Sequence, residues 1–216
     1  MTSAVFASLH PKILSGLNAL GIREPTPPQE MAIGPISRGE NVLLVAPTAS
    51  GKTEAALLPV FDALLRELPR AEGIEVVYIT PLRALNRDIH RRLMFWADHL
   101  GIDAQVRHGD TPQKVRRMQT ARPPRVLITT PETLQAILPV GAMRQHLRSV
   151  RWAIVDEIHE LAASKRGAQL TLGLERLERV VSGPLQRVGL SATVGNPEEV
   201  ASFLGGQSPV PRQGGG

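Results

Sequence analysis

Ala46-Pro47-Thr48-Ala49-Ser50-Gly51-Lys52-Thr53 is the stretch on which the reading of this chain turns. The apolar run Val42 to Val45 precedes it and a helix-like segment, Glu54 to Leu65, follows, so it joins a strand to a helix. A glycine-containing loop in that setting directs backbone N–H groups and the positive end of a helix dipole to one point, which suits a polyphosphate. Lys52 would reach the outer phosphates, and the hydroxyl of Thr53 would bind magnesium. Ala46 stands where the G-x-x-x-x-G-K-[ST] pattern has its first glycine, which predicts some loss of loop permissiveness, while Gly51 is kept. The structural alternative is an ordinary strand-to-helix turn that contains Gly-Lys-Thr. The flanking strand and helix weigh against it.

Upstream of this loop, Phe6, Leu9, Ile13, Leu14, Leu17 and Leu20 recur at near-helical spacing until Gly21. Pro25-Thr26-Pro27-Pro28-Gln29 reads as a rigid turn opening a short helix through Ile36. Downstream, strand-like runs at Val76 to Ile79, Ala104 to Val106, Val126 to Ile128, Trp152 to Val155 and Val188 to Leu190 alternate with helical patterns. The helices begin with the amphipathic Leu82, Leu85, Ile89, Leu93, Trp96 series, whose Arg83, Arg87, Arg91 and Arg92 lie off the apolar stripe. They continue at Gln113 to Gln119, Glu132 to Leu138, the stripe Leu170, Leu174, Leu177, Val181, and Pro197 to Leu204. This alternation predicts an α/β fold, a mainly parallel sheet with helices on both faces. Pro59 inside the helix after the loop predicts a kink. One domain is expected over residues 1–204, its first 37 residues forming N-terminal helices, with a flexible tail or linker over 205–216.

The 216 residues are 42% apolar and 21% charged, ordinary for a globular chain, but only 3% aromatic. The core therefore falls to Leu, Val, Ile and Ala, and no aromatic ligand cage is expected. The net charge is +5, and among 25 basic residues only Lys12, Lys52, Lys114 and Lys165 are lysines. Arginine favours bidentate phosphate contacts, although a solvated surface accounts for the composition equally well. The absence of cysteine excludes disulfides, thiolate metal sites and a cysteine nucleophile. No apolar run reaches the roughly 18 residues of a membrane span, and the N-terminus lacks a signal pattern, so a cytoplasmic protein is expected.

In an open parallel sheet, ligands bind beyond the carboxyl ends of the strands. Residues able to do chemistry fall there repeatedly: the phosphate loop, Thr80 to Arg83, Arg107 to Asp110, Thr129 to Glu132, Asp156 to His159, and Ser191-Ala192-Thr193. Asp156, ending a strand, can place a carboxylate on magnesium beside the phosphates held at Lys52, and Glu157 is then the group to orient or deprotonate an attacking water. Adjacent carboxylates also mark helix starts, but a phosphate loop upstream strengthens the catalytic reading. His10, His90, His99, His108 and His146 show no metal-ligand spacing and read as surface or structural residues.

The order of these motifs resembles the first RecA-like domain of a superfamily 2 helicase of the DExH kind, most like the large helicase-related (Lhr-like) group. The resemblance rests on Pro27-Pro28-Gln29, Ala46 to Thr53, Thr80 to Leu85, His108 to Pro112, Thr130-Pro131-Glu132, Asp156-Glu157-Ile158-His159 and Leu190 to Pro197, and it spans Phe6 to about Leu204. It implies a RecA-like P-loop fold, an ATP-dependent helicase or translocase activity, and ATP with Mg2+ as the bound groups. Lys52, Asp156 and Glu157 would be catalytic, with the metal at Thr53 and Asp156. Pro47, Thr48, Ala49, Ser50, Gly51, Lys52, Thr53 and Glu54 would hold the nucleotide, Gln29 would read the adenine edge, and Phe6 would pack near the base. Ser191, Thr193 and His159 would couple hydrolysis to domain movement. Pro81, Arg83, Gly109, Asp110, Thr130, Pro131 and Glu132 would contact DNA or RNA. Bland readings stand beside these: a helix start for Gln29, a strand-end turn for Ser191 and Thr193, a solvated helix face for Arg83.

The resemblance also implies a partner, a second RecA-like domain that supplies an arginine finger, which nothing after Thr193 encodes. The chain is therefore expected to be an excised or truncated lobe, monomeric and nearly inactive by itself. Two other readings compete: a non-catalytic, ATP-responsive module that grips nucleic acid or a partner, and a P-loop ATPase with no polynucleotide substrate. The intact Lys52, Thr53, Asp156 and Glu157 favour the enzyme, and Gln29 with the Ser-Ala-Thr strand end disfavours the unrelated ATPase.

Overall fold

Runs of Val, Ile and Leu, each bounded by a polar or turn-forming residue, build the centre of the molecule. The computed structural model describes residues 4–67, 72–81, 87–162, 165–192, 200 and 204. Its strands are β1 (Val42–Val45), β2 (Val76–Ile79), β3 (Ala104–Arg107), β4 (Val126–Thr129), β5 (Trp152–Val155) and β6 (Gln186–Ser191). They form one sheet in the order β1-β6-β5-β2-β4-β3, every pair parallel. Because parallel strands need crossovers, helices cover both faces, and the central strands β2, β4 and β5 are buried throughout, without alternation.

The helices among the described residues are α1 (Ala4–Ala7), α2 (Pro11–Ala19), α3 (Pro27–Ser37), α4 (Lys52–Arg66), α5 (Arg87–Leu100), α6 (Gln113–Ala121), α7 (Pro131–Ile137), α8 (Gly141–Leu147), α9 (Ile158–Ala162) and α10 (Lys165–Glu178). Successive strand residues face opposite sides, which divides the core in two. Val76, Tyr78, Val126, Ile128, Trp152 and Ile154 pack with α1 to α5. Val77, Ile79, Leu127, Ala153 and Val155 pack with α7 to α10. None of the described helices is long and apolar enough to cross a membrane.

The parallel sheet, the strand positions and the two covered faces agree with the sequence reading. Local features differ. The N-terminal apolar series is split between α1 and α2, because Pro11 takes the first position of α2 and the backbone N–H of His10 donates instead to Asp62 Oδ1 at 2.6 Å. Another is α8, a short helix absent from the expectation, whose buried residues are only Met143 and Leu147. Pro59 lies inside α4, which runs from Lys52 to Arg66. Leu82, Leu85, the tail 205–216 and most of the predicted Pro197 to Leu204 helix lie outside the described residues.

Candidate active site

The strand order decides what can meet. β6 lies between β1 and β5, so the loop after β1 and the residues after β5 flank the end of β6, at Ser191. Alternation along β5 puts Asp156 on the same face as Trp152 and Ile154, the face that carries α4. Thr48, Lys52 and Thr53 from one side and Asp156 and Glu157 from the other then line a single cleft of about 290 Å³.

The loop itself has two left-handed residues, Ala49 at φ 61° and Gly51 at φ 84°. A Cβ on Gly51 would lie 2.5 Å from Gln29 Nε2, so glycine is required there both by conformation and by space. Ala46 is not among the positive-φ residues, so the alanine at the first consensus position costs the loop nothing. Lys52 starts α4 and is buried, its ammonium donating to the carbonyls of Ala46 at 2.5 Å and Pro47 at 3.0 Å. Burial holds its pKa below the ordinary lysine value, opposed by the charges of Glu157 and Asp156.

Asp156 is buried, and its Oδ1 accepts from the Glu157 N–H at 2.9 Å while Oδ2 accepts from the Tyr78 hydroxyl at 2.5 Å. Burial raises its pKa above the usual carboxylate range, and the Tyr78 bond works against that rise. Glu157 is raised too, first by burial and then by the charge of Asp156. Its backbone is left-handed at φ 49°, an uncommon conformation for a side chain of that size and a form of strain that clusters at functional sites. His159 Nδ1 accepts from the Ala192 N–H at 3.4 Å and lies 3.2 Å from Ser191 Oγ. An accepting Nδ1 leaves the ring proton on Nε2, which faces Glu157 Oε2 at 3.4 Å. His159 thus connects the carboxylate after β5 to the end of β6.

Tyr78 was read only as a strand former, because the partner of its hydroxyl is 78 residues away and only the β2–β5 register brings the two together. Ile89 and Arg92 of α5 also line the cleft, although spacing places Arg92 only off the apolar stripe. Glu54 is buried and paired with Arg92 at 3.5 Å. Gln29 is buried as well, its Oε1 accepting from the Thr26 N–H at 3.0 Å and its Nε2 donating to the Gly51 carbonyl at 3.2 Å. The helix-start reading of Gln29 therefore holds, and the same amide ties that helix to the phosphate loop. Phe6 is buried in the core and lines a separate cavity of about 390 Å³ with Leu14, Leu17, Asn18, Ile22, Arg23 and Glu24. Neither Arg23 nor Glu24 carried a signal in the sequence reading.

The residues assigned to nucleic acid fall at the ends of β2, β3 and β4. Pro81 is buried, while Gly109, Asp110 and Glu132 are exposed. Thr130 Oγ1 accepts from the Thr133 N–H at 3.3 Å and so caps α7, which Pro131 opens. Arg83 and Thr193 lie outside the described residues. Among the described residues no cluster of three His, Asp or Glu side chains is placed to hold a metal.

Residues 26–200 match the model of the DEAD/DEAH box helicase family. The Lhr helicase/probable uracil glycosylase of Mycolicibacterium smegmatis is 49% identical over 199 residues, covering 86% of this chain and 13% of the relative. The ATP-dependent helicase Lhr-Core of Methanothermobacter thermautotrophicus is 44% identical over 197 residues, covering 85% of this chain and 23% of its own length. Among solved structures, the Mycobacterium smegmatis helicase Lhr bound to ssDNA and AMP-PNP superposes with a TM-score of 0.86 at 44% identity, covering 96% of this chain and 28% of that one. The chain thus spans a small part of the relatives that it matches, and its similarity to Lhr helicases agrees with the resemblance read from the motifs.

Proposed function

The chain belongs to the DEAD/DEAH box helicase family, and from that premise we propose that it is the ATP-binding RecA-like lobe of an Lhr-like nucleic-acid helicase or translocase. The observation that carries this reading is the convergence of Lys52, Thr53, Asp156 and Glu157 on one cleft behind a left-handed phosphate loop. The lobe comprises residues 1–204, and a second RecA-like domain of the parent protein completes the site.

Binding begins at the loop, where the backbone N–H groups that open α4 face the phosphates and the ammonium of Lys52 exchanges its two carbonyl partners for phosphate oxygens. Thr53 and Asp156 would hold Mg2+, since a hydroxyl and a buried carboxylate, both oxygen donors, share the cleft. The ion would supply charge neutralisation to the phosphates. Glu157 is the base for the attacking water. His159 holds that carboxylate and contacts Ser191, which makes the end of β6 responsive to the state of the cleft. Gln29 and the cavity beside Phe6 serve the adenine end, and the exposed turns after β3 and β4, with Arg83, serve the polynucleotide backbone. A non-catalytic module would have little use for a strained glutamate in this position, which favours the enzyme.

The test is hydrolysis by the parent protein with and without single-stranded DNA or RNA. Turnover should rise several-fold with at least one polymer, and an unchanged rate with both would return the site to a P-loop ATPase without a polynucleotide substrate.

Tyr78 is a positioning residue in this scheme. Tyr78→Phe keeps the packing but removes the hydrogen bond to the buried Asp156, a loss of about 1.5 to 3 kcal/mol for a bond to a charged group. Hydrolysis should fall by about tenfold or more and its magnesium requirement should rise, with the fold intact by circular dichroism. Parent-like values of both would show that the hydroxyl has no role at the carboxylate.

A further inference from the structure

A cationic concavity on the outer edge of the sheet is not used by the mechanism above. Arg107 is the last residue of β3, the edge strand, and alternation turns it away from the Ala104 and Val106 face toward α8. It is 9% exposed, yet its guanidinium finds only the Arg116 carbonyl at 3.3 Å and Met143 Sδ at 3.6 Å, and no carboxylate among the described residues. Arg116 donates to the carbonyls of Thr111 at 2.8 Å, His108 at 3.3 Å and Gly109, again with no carboxylate partner among the described residues. Arg117, exposed on α6, joins them around a concavity of about 470 Å³ whose remaining wall is Gln113, Thr120 and Ala121.

We propose that Arg107, Arg116 and Arg117 form a phosphate-binding site for a backbone phosphodiester of single-stranded nucleic acid, continuing the track beyond the Thr130–Glu132 turn. The inference rests on the nucleic-acid reading above and adds a site to it. A buried guanidinium costs free energy unless it is paired with an opposite charge, and one carbonyl and one thioether do not supply that charge. Burial, and then the neighbouring charge of Arg116, lower the Arg107 pKa, so an anion in the concavity would relieve both. The fork of a guanidinium fits phosphate oxygens.

Position identifies the source of the phosphate. Arg107 pairs in register with Thr129, whose hydroxyl donates to the Arg107 carbonyl at 2.8 Å, and the next residues are the Thr130 turn. Arg116 fixes the loop that presents Gly109 and Asp110. A strand leaving the ends of β2 and β4 would pass this edge next.

The experiment is fluorescence anisotropy of the parent protein with a labelled oligothymidylate across a salt series. Arg117→Ala should weaken binding and reduce the slope of log affinity against log salt by about 0.7, the contribution of one single-strand phosphate. Arg107→Gln should do the same, while Arg117→Lys should keep the slope because it keeps the charge. Arg148→Ala, an exposed arginine before β5, is the control and should leave the slope unchanged. If Arg107→Gln fails to fold, Arg117→Ala decides alone. Parent-like slopes in the variants, or an equal loss in Arg148→Ala, would overturn this site and leave the wider reading standing. No binding by the unaltered protein would overturn the nucleic-acid reading first, and this site with it.

Discussion

Glu157→Gln is expected to leave nucleotide affinity near its parent value while lowering hydrolysis about 10² to 10⁴-fold, the usual contribution of a positioned base. The amide keeps the shape and length of the side chain and cannot take a proton. It also adopts the left-handed backbone at φ 49° no worse than glutamate, so the strain at this position is unchanged. Lys52→Ala should behave differently: Lys52 lines the cleft, and in the proposed role it would meet the phosphates in the ground state as well as in the transition state, so its loss should weaken binding too. Titration calorimetry and an ATPase assay separate the two variants, and equal nucleotide affinities in both would contradict the assigned roles.

The same variant has a pH signature. The base works only when ionised, and burial together with Asp156 raises the pKa of Glu157 above the ordinary carboxylate value. Turnover should therefore decline as pH falls through that raised value, at a less acidic pH than an exposed glutamate would give. The residual rate of Glu157→Gln should lack that decline.

The parts of the site legible in the sequence were those whose chemistry is local. Gly51-Lys52-Thr53 between an apolar run and a helix, or Asp156-Glu157 at the end of one, can be read because the residue types, their spacing and the strand end lie together in the chain. Strands β1, β2, β4 and β5 were legible for the same reason, being short, largely apolar runs. What escaped depends on tertiary register. The Tyr78 hydroxyl meets Asp156 only because β2 pairs with β5. Arg92 lies off the apolar stripe of α5, and its exposed side chain also lines the phosphate cleft. Glu54, adjacent to the phosphate loop, is paired with Arg92 of α5, a contact that only the fold brings about. The break at His10–Pro11 was hidden by an apolar spacing that continued across it, and α8 buries too few residues to show a period. Arg107 reads in the sequence only as one of the polar residues at the strand ends, and it is the sheet order that places it against α6 and α8.

The 216-residue chain alone should bind Mg–ATP or ADP weakly and hydrolyse ATP at least about 10³-fold more slowly than the same chain within a protein that also carries a second RecA-like domain. Phosphoryl transfer spreads negative charge over the departing group, and its catalysis is largely positioning and neutralisation. The cations lining the cleft among the described residues are Lys52 and Arg92, and Arg92 is already paired with Glu54 at 3.5 Å. An arginine supplied from outside is worth roughly 10³ to 10⁵ in rate in comparable phosphoryl transfers. The relatives are long enough to supply it, since this chain covers only 13% of the mycobacterial protein and 28% of the solved Lhr chain. Multiple-turnover hydrolysis measured on the chain alone and on the longer protein decides the matter. Equal rates would mean that Lys52 and Arg92 suffice and that the site is complete within one lobe. A large deficit in the chain, with nucleotide still bound in a Lys52-dependent manner, would place the missing charge in the second domain.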